Sequence, residues 1–320
     1  MAVFSGGLDS ILAVQLVRVQ GIEILGLFFE TPFFPSSGAR KSAAHIKLPL
    51  RVINITESHL EVVKDPKHGY GENMNPCIDC HILMLRKACE VLEQERADFI
   101  ITGEVLGQRP MSQNRKALDV IASESGRPGL ILRPLSAKRL PKTIPEEKGW
   151  VDRNGLMGFS GRSRKPQMDL ARQLGIREFP TPAGGCLLTD PGFSRRLKDL
   201  LTFSRDLPLR DVELLKVGRH FRVGPGTKVV IGRNERENRI IRSLCREDNL
   251  LLTPVSVPGP TVLVVGEISP KQEELAASMT AAYSDPGGGQ ETDIALYSRA
   301  SQASLRVKRR EKREFQAYMI

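Results

Sequence analysis

A glycine-rich turn near the start of the chain constrains the fold more than any other sequence feature. The turn, SGGLDS at residues 5–10, follows a short apolar run at residues 2–4. It precedes residues 11–19, whose apolar side chains recur at helical spacing. Glycine adopts positive φ readily and lets a ligand approach the backbone closely, and the amide groups that begin a helix attract anions. The pattern therefore predicts a strand, a phosphate-binding loop and a helix in direct succession.

Further strand-length apolar segments alternate with helical ones along the first half of the chain. Residues 22–29 form a continuous apolar run, and residues 50–55, 99–102 and 130–132 are further candidate strands. Residues 80–96 have the pattern of an amphipathic helix. Strands that alternate with helices indicate an α/β fold, with a parallel sheet covered by helices and ligands bound at the carboxyl ends of the strands.

The composition changes after about residue 195, which indicates a second domain. Short apolar runs at residues 228–231 and 261–265 are separated by Gly and Pro, a pattern typical of a smaller β-rich or α+β domain. A chain of 320 residues also exceeds the usual size of one domain. We therefore predict two domains, residues 1–194 and 195–320. Because the glycine turn begins at residue 5, either the first strand is short or the natural chain starts upstream.

The charge of the chain favours an anionic partner. The net charge is +10, and residues 151–320 carry 28 basic and 20 acidic side chains. Nucleic acid is the commonest partner of such a surface, and we expect the second half to supply more of the contact. No apolar run reaches the length of a membrane span, and no secretion signal is recognisable, so we expect a cytoplasmic protein without a membrane partner.

Five cysteines without a secretion signal favour metal or catalytic chemistry over disulfides. Cys77 and Cys80 form a CxxC pair just before the predicted helix, where a lowered thiol pKa is expected. Together with the isolated Cys186 they fit an iron–sulfur cluster with one iron left open. A structural zinc on the pair is the alternative. We expect Cys89 and Cys245 to be core residues.

The glycine turn resembles the loop of the PP-loop ATP pyrophosphatase superfamily, whose members cleave ATP between the α- and β-phosphates and adenylate a substrate. The resemblance implies that adenine lies near Leu27 and Phe28 and that Asp9 orients Mg²⁺ or the loop. The residues implied to contact ATP are Phe4, Ser5, Gly6, Gly7, Leu8, Asp9, Ser10, Leu27, Phe28, Thr102 and Gly103.

Two other segments resemble tRNA thiouridine synthetases of this superfamily. The NPCxxC sequence with a later lone cysteine resembles the thiolation enzymes that hold a [4Fe–4S] cluster on three cysteines, which here are Cys77, Cys80 and Cys186. The sequence TGEVLGQ at residues 102–108, followed by SQ and RPL, resembles the catalytic domain of 4-thiouridine synthetases. That resemblance implies that Glu104 and Gln108 position the target base.

The second half resembles the small RNA-associated module of NFACT-type proteins at GRHF, residues 218–221, and at GRNERENR, residues 232–239. Residues 195–246 carry 14 basic and 6 acidic side chains, so contact with phosphates is expected there without base reading. The RNA-binding region that precedes the loop in 4-thiouridine synthetases has no counterpart in this sequence. We therefore expect the RNA contact in the second half.

Together these resemblances imply an ATP-dependent tRNA sulfurtransferase that adenylates a uridine carbonyl and replaces its oxygen with sulfur. ATP, Mg²⁺ and a [4Fe–4S] cluster are the implied cofactors, and the partners are tRNA and a sulfur donor, either sulfide or a persulfide carrier. The oligomeric state stays open, a homodimer included. The residues implied to act in catalysis are Asp9, Cys80, Cys186, Glu104 and Gln108.

Three alternatives remain at this point. One is a cluster-free thiolase that uses a cysteine persulfide and a disulfide. Another is a PP-loop amidating or ligating enzyme that acts on a small metabolite and carries a structural zinc. The third is an RNA-binding protein without catalysis.

Overall fold

The chain divides into two units in the computed structural model, which describes residues 1–179, 185–204, 206–286, 289–299 and 301–320. The first unit is Met1–Asp190 and the second is Pro191–Ile320. The helix Pro191–Phe203 begins at this division, so residues 191–194 are part of the second unit rather than the first.

A parallel sheet of five strands organises the first unit, in the order β3-β2-β1-β4-β5. The strands are β1 Ala2–Val3, β2 Gly26–Glu30, β3 Leu50–Asn54, β4 Ile100–Thr102 and β5 Ile131–Leu132. The predicted α/β fold with a parallel sheet is confirmed. The predicted second strand begins at Gly26 rather than at residue 22.

Helices cover the sheet and bury its apolar side chains. They are α1 Leu8–Arg18, α2 Ser37–His45, α3 Thr56–Lys64, α4 Cys77–Gln94, α5 Arg115–Glu124, α6 Ile144–Glu147 and α7 Lys165–Gln173. Apolar side chains of α1 and α4 lie in separate core clusters with β-strand residues. Strands covered in this way read as continuous apolar runs, which explains why the sequence revealed them.

The second unit contains an antiparallel sheet of six strands, in the order β11-β10-β8-β9-β7-β6. Its strands are β6 Arg219–Gly224, β7 Thr227–Ile231, β8 Leu250–Pro254, β9 Val262–Val265, β10 Glu291–Tyr297 and β11 Gln302–Lys308. Its helices are α8 Pro191–Phe203, α9 Leu209–Leu215, α10 Glu235–Ser243 and α11 Pro270–Tyr283. Buried residues of α11 pack with strand residues in one core cluster, and the β-rich prediction is confirmed.

None of the helices described is both long enough and apolar enough to cross a bilayer.

Candidate active site

The glycine turn between β1 and α1 lies at the carboxyl end of the parallel sheet. Gly6 has a φ of +79°, and a Cβ at this position would lie 2.7 Å from the Cα of Ala39. The Ser10 hydroxyl donates a hydrogen bond to the carbonyl of Gly7 at 2.8 Å, and the Ser5 Oγ lies 3.3 Å from the Ser10 Oγ. Gly6 is thus required by conformation and by space. The turn brings the first amide groups of α1, which lack partners within the helix, to the end of the sheet.

Asp9 occupies the first turn of α1, and among the described residues only one of its two carboxylate oxygens has polar contacts. Its Oδ2 accepts a hydrogen bond from the Gln108 Nε2 at 2.7 Å and lies 3.5 Å from the guanidinium of Arg164. The Gln108 Oε1 in turn accepts a hydrogen bond from the Gln167 Nε2 at 2.7 Å. The Asp9 Oδ1 is buried and has no hydrogen-bond partner among the described residues. A carboxylate oxygen buried in this way is a position that a cation or a donor group would stabilise.

One cavity of about 440 Å³ opens beside the turn, within the size range of small-molecule sites. Its wall contains every residue that the sequence suggested for ATP contact, and also Glu104 and the three cysteines of the suggested cluster. Gln108 is not among the lining residues, and it reaches the site through Asp9. The lining residues that were suggested from the sequence are Phe4, Ser5, Gly6, Gly7, Leu8, Asp9, Ser10, Leu27, Phe28, Cys77, Cys80, Thr102, Gly103, Glu104 and Cys186.

Glu104 is a buried carboxylate with hydrogen bonds to three side chains. Its Oε1 lies 2.8 Å from the His81 Nδ1, while its Oε2 accepts hydrogen bonds from the Thr102 hydroxyl at 3.0 Å and from the Arg133 Nε at 2.8 Å. Burial alone would raise the pKa of Glu104, but Arg133 and His81 outweigh it and lower that pKa to about 2. Glu104 is therefore ionised at neutral pH, and it fixes the position of His81 on the cavity wall.

Gly103, directly after β4, allows the loop that follows this strand to touch the start of α1. A Cβ at Gly103 would lie 2.6 Å from the amide nitrogen of Ser10 and 2.8 Å from the carbonyl carbon of Asp9. Both are backbone atoms, which cannot move aside as the end of a side chain can. The close approach of these two loops explains why the TGE sequence has glycine at its centre.

The three cysteines approach the cavity from two segments of the chain. Cys77 and Cys80 lie in the first turn of α4, not before the helix as expected, and Cys186 precedes a short 3₁₀ turn. The Asn75 Nδ2 donates a hydrogen bond to the Cys77 Sγ at 3.2 Å, and the His59 Nε2 lies 3.3 Å from the Cys80 Sγ. All three thiols are free, so the site offers three sulfur ligands.

The prediction that the helix start lowers the thiol pKa is wrong for Cys80. Burial raises the pKa of Cys80, and the neighbouring Cys186 and Cys77 raise it further. Burial likewise raises the pKa of Cys186 to about 11, with Cys77 adding to the rise and a backbone hydrogen bond opposing it. Desolvation of the sulfurs outweighs the helix dipole here, so these thiols need a nearby cation to become thiolates.

Within the described ranges, no three His, Cys, Asp or Glu side chains are grouped closely enough to hold a single metal ion. Three cysteines bind three different irons of a tetranuclear cluster and need not meet at one point.

Two side chains on the cavity wall were missed by sequence reasoning. His59, in α3, is buried, and burial lowers its pKa to about 4, so its imidazole is neutral. Arg109 lies on the same wall, and its charge opposes the rise in the pKa of Cys186. No spacing pattern in the sequence indicates that His59 or Arg109 belongs to the site. His59 lies beside Cys80 because α3 packs against α4.

The two cysteines suggested as core residues differ in burial. Cys89 is buried among the apolar side chains of α4, whereas Cys245 is half-buried beside a core cluster of the second unit.

Comparison with known protein families confirms the resemblance to tRNA thiouridine synthetases and to the NFACT-type RNA-associated module. Residues 1–140 match the model of the thiamine biosynthesis protein (ThiI) family. This match covers most of the first unit but less than half of the chain. Residues 218–319 match the model of the NFACT protein RNA binding domain. The ThiI-type match includes the glycine turn, the CxxC pair and the TGEVLGQ segment, whereas Cys186 lies beyond it.

Curated relatives match the ThiI-type region. A probable tRNA sulfurtransferase of Clostridium perfringens is 30% identical over 146 residues, which is 43% of this chain and 36% of that protein. A tRNA-specific 2-thiouridylase MnmA of Karelsulcia muelleri is 31% identical over 126 residues, covering 35% of this chain and 32% of that protein. The matched region is thus only about a third of the length of these relatives.

Among solved structures, a predicted subunit of tRNA methyltransferase from Methanocaldococcus jannaschii has a TM-score of 0.36 at 16% identity, and the match covers 53% of this chain and 72% of that one. A similarity this low carries no argument about the fold.

Proposed function

We propose that this protein is an ATP-dependent tRNA sulfurtransferase, which adenylates a uridine carbonyl oxygen and replaces that oxygen with sulfur. One observation carries the proposal: the phosphate-binding turn and three free cysteines line the same cavity. A cavity with the turn alone would support adenylation of any oxygen nucleophile. The sulfur groups beside it add the chemistry that distinguishes thiolation, and the relatives named tRNA sulfurtransferase favour the same reaction.

ATP is proposed to bind with its phosphates at the glycine turn and its adenine beside Leu27 and Phe28. Amide groups at the start of α1 and the hydroxyls of Ser5 and Ser10 would contact the phosphates. The apolar side chains of β2 on the cavity wall offer a surface for the base. The match of residues 1–140 to the ThiI family model supports ATP as the nucleotide.

Mg²⁺ is proposed to bind the nucleotide next to Asp9. Mg²⁺ commonly takes one or two carboxylates together with phosphate oxygens and water. The Asp9 Oδ1, buried without a partner in the described structure, fits this role. Gln108 and Arg164 contact the other oxygen, and so would keep the carboxylate oriented.

The cysteine trio fits a [4Fe–4S] cluster, and Cys77, Cys80 and Cys186 would hold it. Their thiols are free, border one cavity and have a raised pKa at Cys80 and Cys186, which cationic iron would lower. When bound, such a cluster would offer an open iron on which sulfide can be held. The His59 Nε2 lies 3.3 Å from the Cys80 Sγ, and in the tautomer that carries its proton on Nε2 it would donate a hydrogen bond to that sulfur.

The proposed reaction has two steps. The uridine carbonyl oxygen attacks the α-phosphorus of ATP, pyrophosphate leaves and the N3 proton is released. Sulfide then attacks the activated carbon, the bond from that carbon to oxygen breaks, and AMP departs with the oxygen. Glu104 holds His81 on the cavity wall, beside the CxxC pair, where it would help to position the base. tRNA is the proposed substrate, in the cytoplasm, and sulfide or a persulfide carrier the donor.

The proposal is tested with protein purified without oxygen and supplied with tRNA, ATP, Mg²⁺ and sulfide. We expect thiouridine in the digested tRNA, AMP and pyrophosphate in equal amounts to it, and protein-bound iron. Thiolation by iron-free protein would support the sulfurtransferase activity and exclude a role for the cluster in it. AMP formation that depends on a small metabolite and not on tRNA would instead support an amidating or ligating enzyme.

A further inference from the structure

Helix α10 of the second unit carries three arginines on its exposed side. Arg236, Arg239 and Arg242 are all exposed and are spaced three residues apart. Side chains at this spacing are neighbours on a helix, and each step advances about 4.5 Å along the axis. We call these three residues the arginine ridge.

The opposite side of α10 fixes the direction in which the ridge faces. Ile241 is fully buried in a core cluster with residues of β7 and β9. The Asn238 Oδ1 accepts a hydrogen bond from the amide of Thr261 at 2.9 Å, and the Glu237 Oε2 accepts one from the amide of Gly218 at 3.1 Å. These contacts join the helix to the sheet from one side, so the ridge points away from the core.

Several residues of the NFACT-like motifs therefore have structural roles. Gly218 has a φ of +76°, and a Cβ there would lie 2.9 Å from the carbonyl oxygen of Ile231. A Cβ at Gly232 would meet the Asn238 side chain. Arg233 is joined to Glu237 by several hydrogen bonds. These contacts hold α10 in place. The arginine ridge takes no part in them and can meet a partner.

The ridge is less neutralised than Arg306, another exposed arginine of this unit. Within the described part of the chain, Arg236 and Arg242 form no ion pair, and Arg239 has only the exposed Glu235 at 3.6 Å. By contrast, Arg306 lies between two acidic side chains, 3.6 Å from Glu291 and 3.2 Å from Asp293.

We propose that the arginine ridge is the surface through which the second unit binds the phosphates of tRNA. Arginine pairs well with phosphate, and a row of arginines of which only Arg239 has an acidic neighbour in the described structure matches a row of phosphates along an RNA strand. The ridge lies inside the region that matches the RNA binding domain model, which favours RNA over an acidic protein. This inference rests on the proposed function, and it names the surface that holds the substrate.

The test compares two triple variants of the full chain with the same change in charge. The ridge variant is Arg236→Gln, Arg239→Gln and Arg242→Gln. The control is Arg299→Gln, Arg306→Gln and Arg313→Gln, all exposed and each paired with an acidic residue. Binding of fluorescent tRNA is measured between about 50 and 200 mM salt, the range over which phosphate contacts show their salt dependence. Thermal unfolding confirms that both variants are folded.

We expect the ridge variant to bind at least tenfold more weakly and to lower the slope of log affinity against log salt by about 2–3, since each of the three lost phosphate contacts removes about 0.7–0.9. The control should stay within threefold of the wild type. Equal losses in both variants, or full binding by the ridge variant, would contradict the RNA contact proposed for the arginine ridge. Neither result would contradict the proposed sulfurtransferase activity. Wild-type protein that does not bind tRNA at all would overturn both.

Discussion

Glu104 shows how a buried carboxylate is made useful in this site. It is 5% exposed, and its two oxygens are occupied by His81, Thr102 and Arg133. An ionised group buried without partners would be strongly destabilising, but this one is paired and hydrogen-bonded throughout. The result is a rigid polar cluster at the end of β4, in which Glu104 holds His81 in position.

Glu104→Gln should destabilise the first unit in a pH-dependent way. The pKa of Glu104 is lowered from 4.5 to about 2, so its ionised form stabilises the fold above pH 4.5, and this contribution is lost as the pH falls toward 2. We expect the variant to lower the free energy of unfolding by about 3 kcal/mol at pH 7 and by much less at pH 3. Urea unfolding at both pH values measures this difference. The exposed Glu57→Gln is the control, and an equal loss at both pH values would contradict the prediction.

Gly103→Ala should disturb the nucleotide loop through backbone contact alone. The added Cβ would lie 2.6 Å from the amide nitrogen of Ser10, so α1 must shift at the residues proposed to contact phosphate. We expect a destabilisation of about 1–3 kcal/mol and at least tenfold weaker ATP binding, measured by calorimetry. Gly226→Ala, in the second unit, where an added Cβ meets no atom within 4 Å, serves as the control. Unchanged ATP affinity in Gly103→Ala would show that the loop tolerates the shift.

At the scale of elements, the start of α4 combines two tasks. Its first turn carries Cys77 and Cys80, while Ile82 and Leu85 on the following turns are buried in the core. The apolar stripe therefore fixes the direction in which the thiols point. The same packing brings His59 of α3 against Cys80, and it buries the sulfur enough to reverse the pKa shift expected from a helix start.

Replacing any one of Cys77, Cys80 and Cys186 with serine should remove thiolation without removing nucleotide chemistry. Each substitution deletes one sulfur ligand or nucleophile, whereas the glycine turn is unchanged. We expect at least a hundredfold loss of thiouridine formation and loss of bound iron, with ATP affinity within about threefold of the wild type. Cys245→Ser, in the second unit, is the matched control. Retained thiolation in all three variants would show that the reaction does not need these cysteines.

The whole molecule has two units, and each contains hydrophobic core clusters of its own residues. Core clusters of the parallel sheet involve residues of the first unit, and those of the antiparallel sheet involve residues of the second. The proposed chemistry lies entirely in the first unit, and the arginine ridge lies in the second. Binding of ATP and binding of tRNA should therefore be separable.

A chain that ends at Asp190 should keep ATP binding and lose most of its affinity for tRNA. The first unit retains its core and cavity, but it lacks the ridge. We expect ATP affinity within threefold of the full chain and tRNA affinity at least tenfold weaker, measured on the same preparations. Far-UV circular dichroism checks that the shortened chain is folded. Equal tRNA affinity in both chains would place the RNA contact in the first unit.

The sequence was sufficient for the five strands of the first unit and for α1 and α4, because strands buried on both faces and amphipathic helices have distinct apolar periods. It failed where position depends on packing between elements. The pairing of His59 with Cys80 and the indirect role of Gln108 both involve residues far apart in the chain. Local spacing contains no record of such contacts.

The glycine turn was readable from the sequence because its constraint is local: one residue with positive φ between a strand and a helix. The sequence by itself also determined the three cysteines, the basic second domain and the family resemblance. Only the tertiary structure decided that the turn, Glu104 and the cysteines border one cavity, that burial raises the pKa of Cys80, and that the ridge faces away from the core. Those properties depend on distances across the fold and on exclusion of water, which arise only when the elements pack.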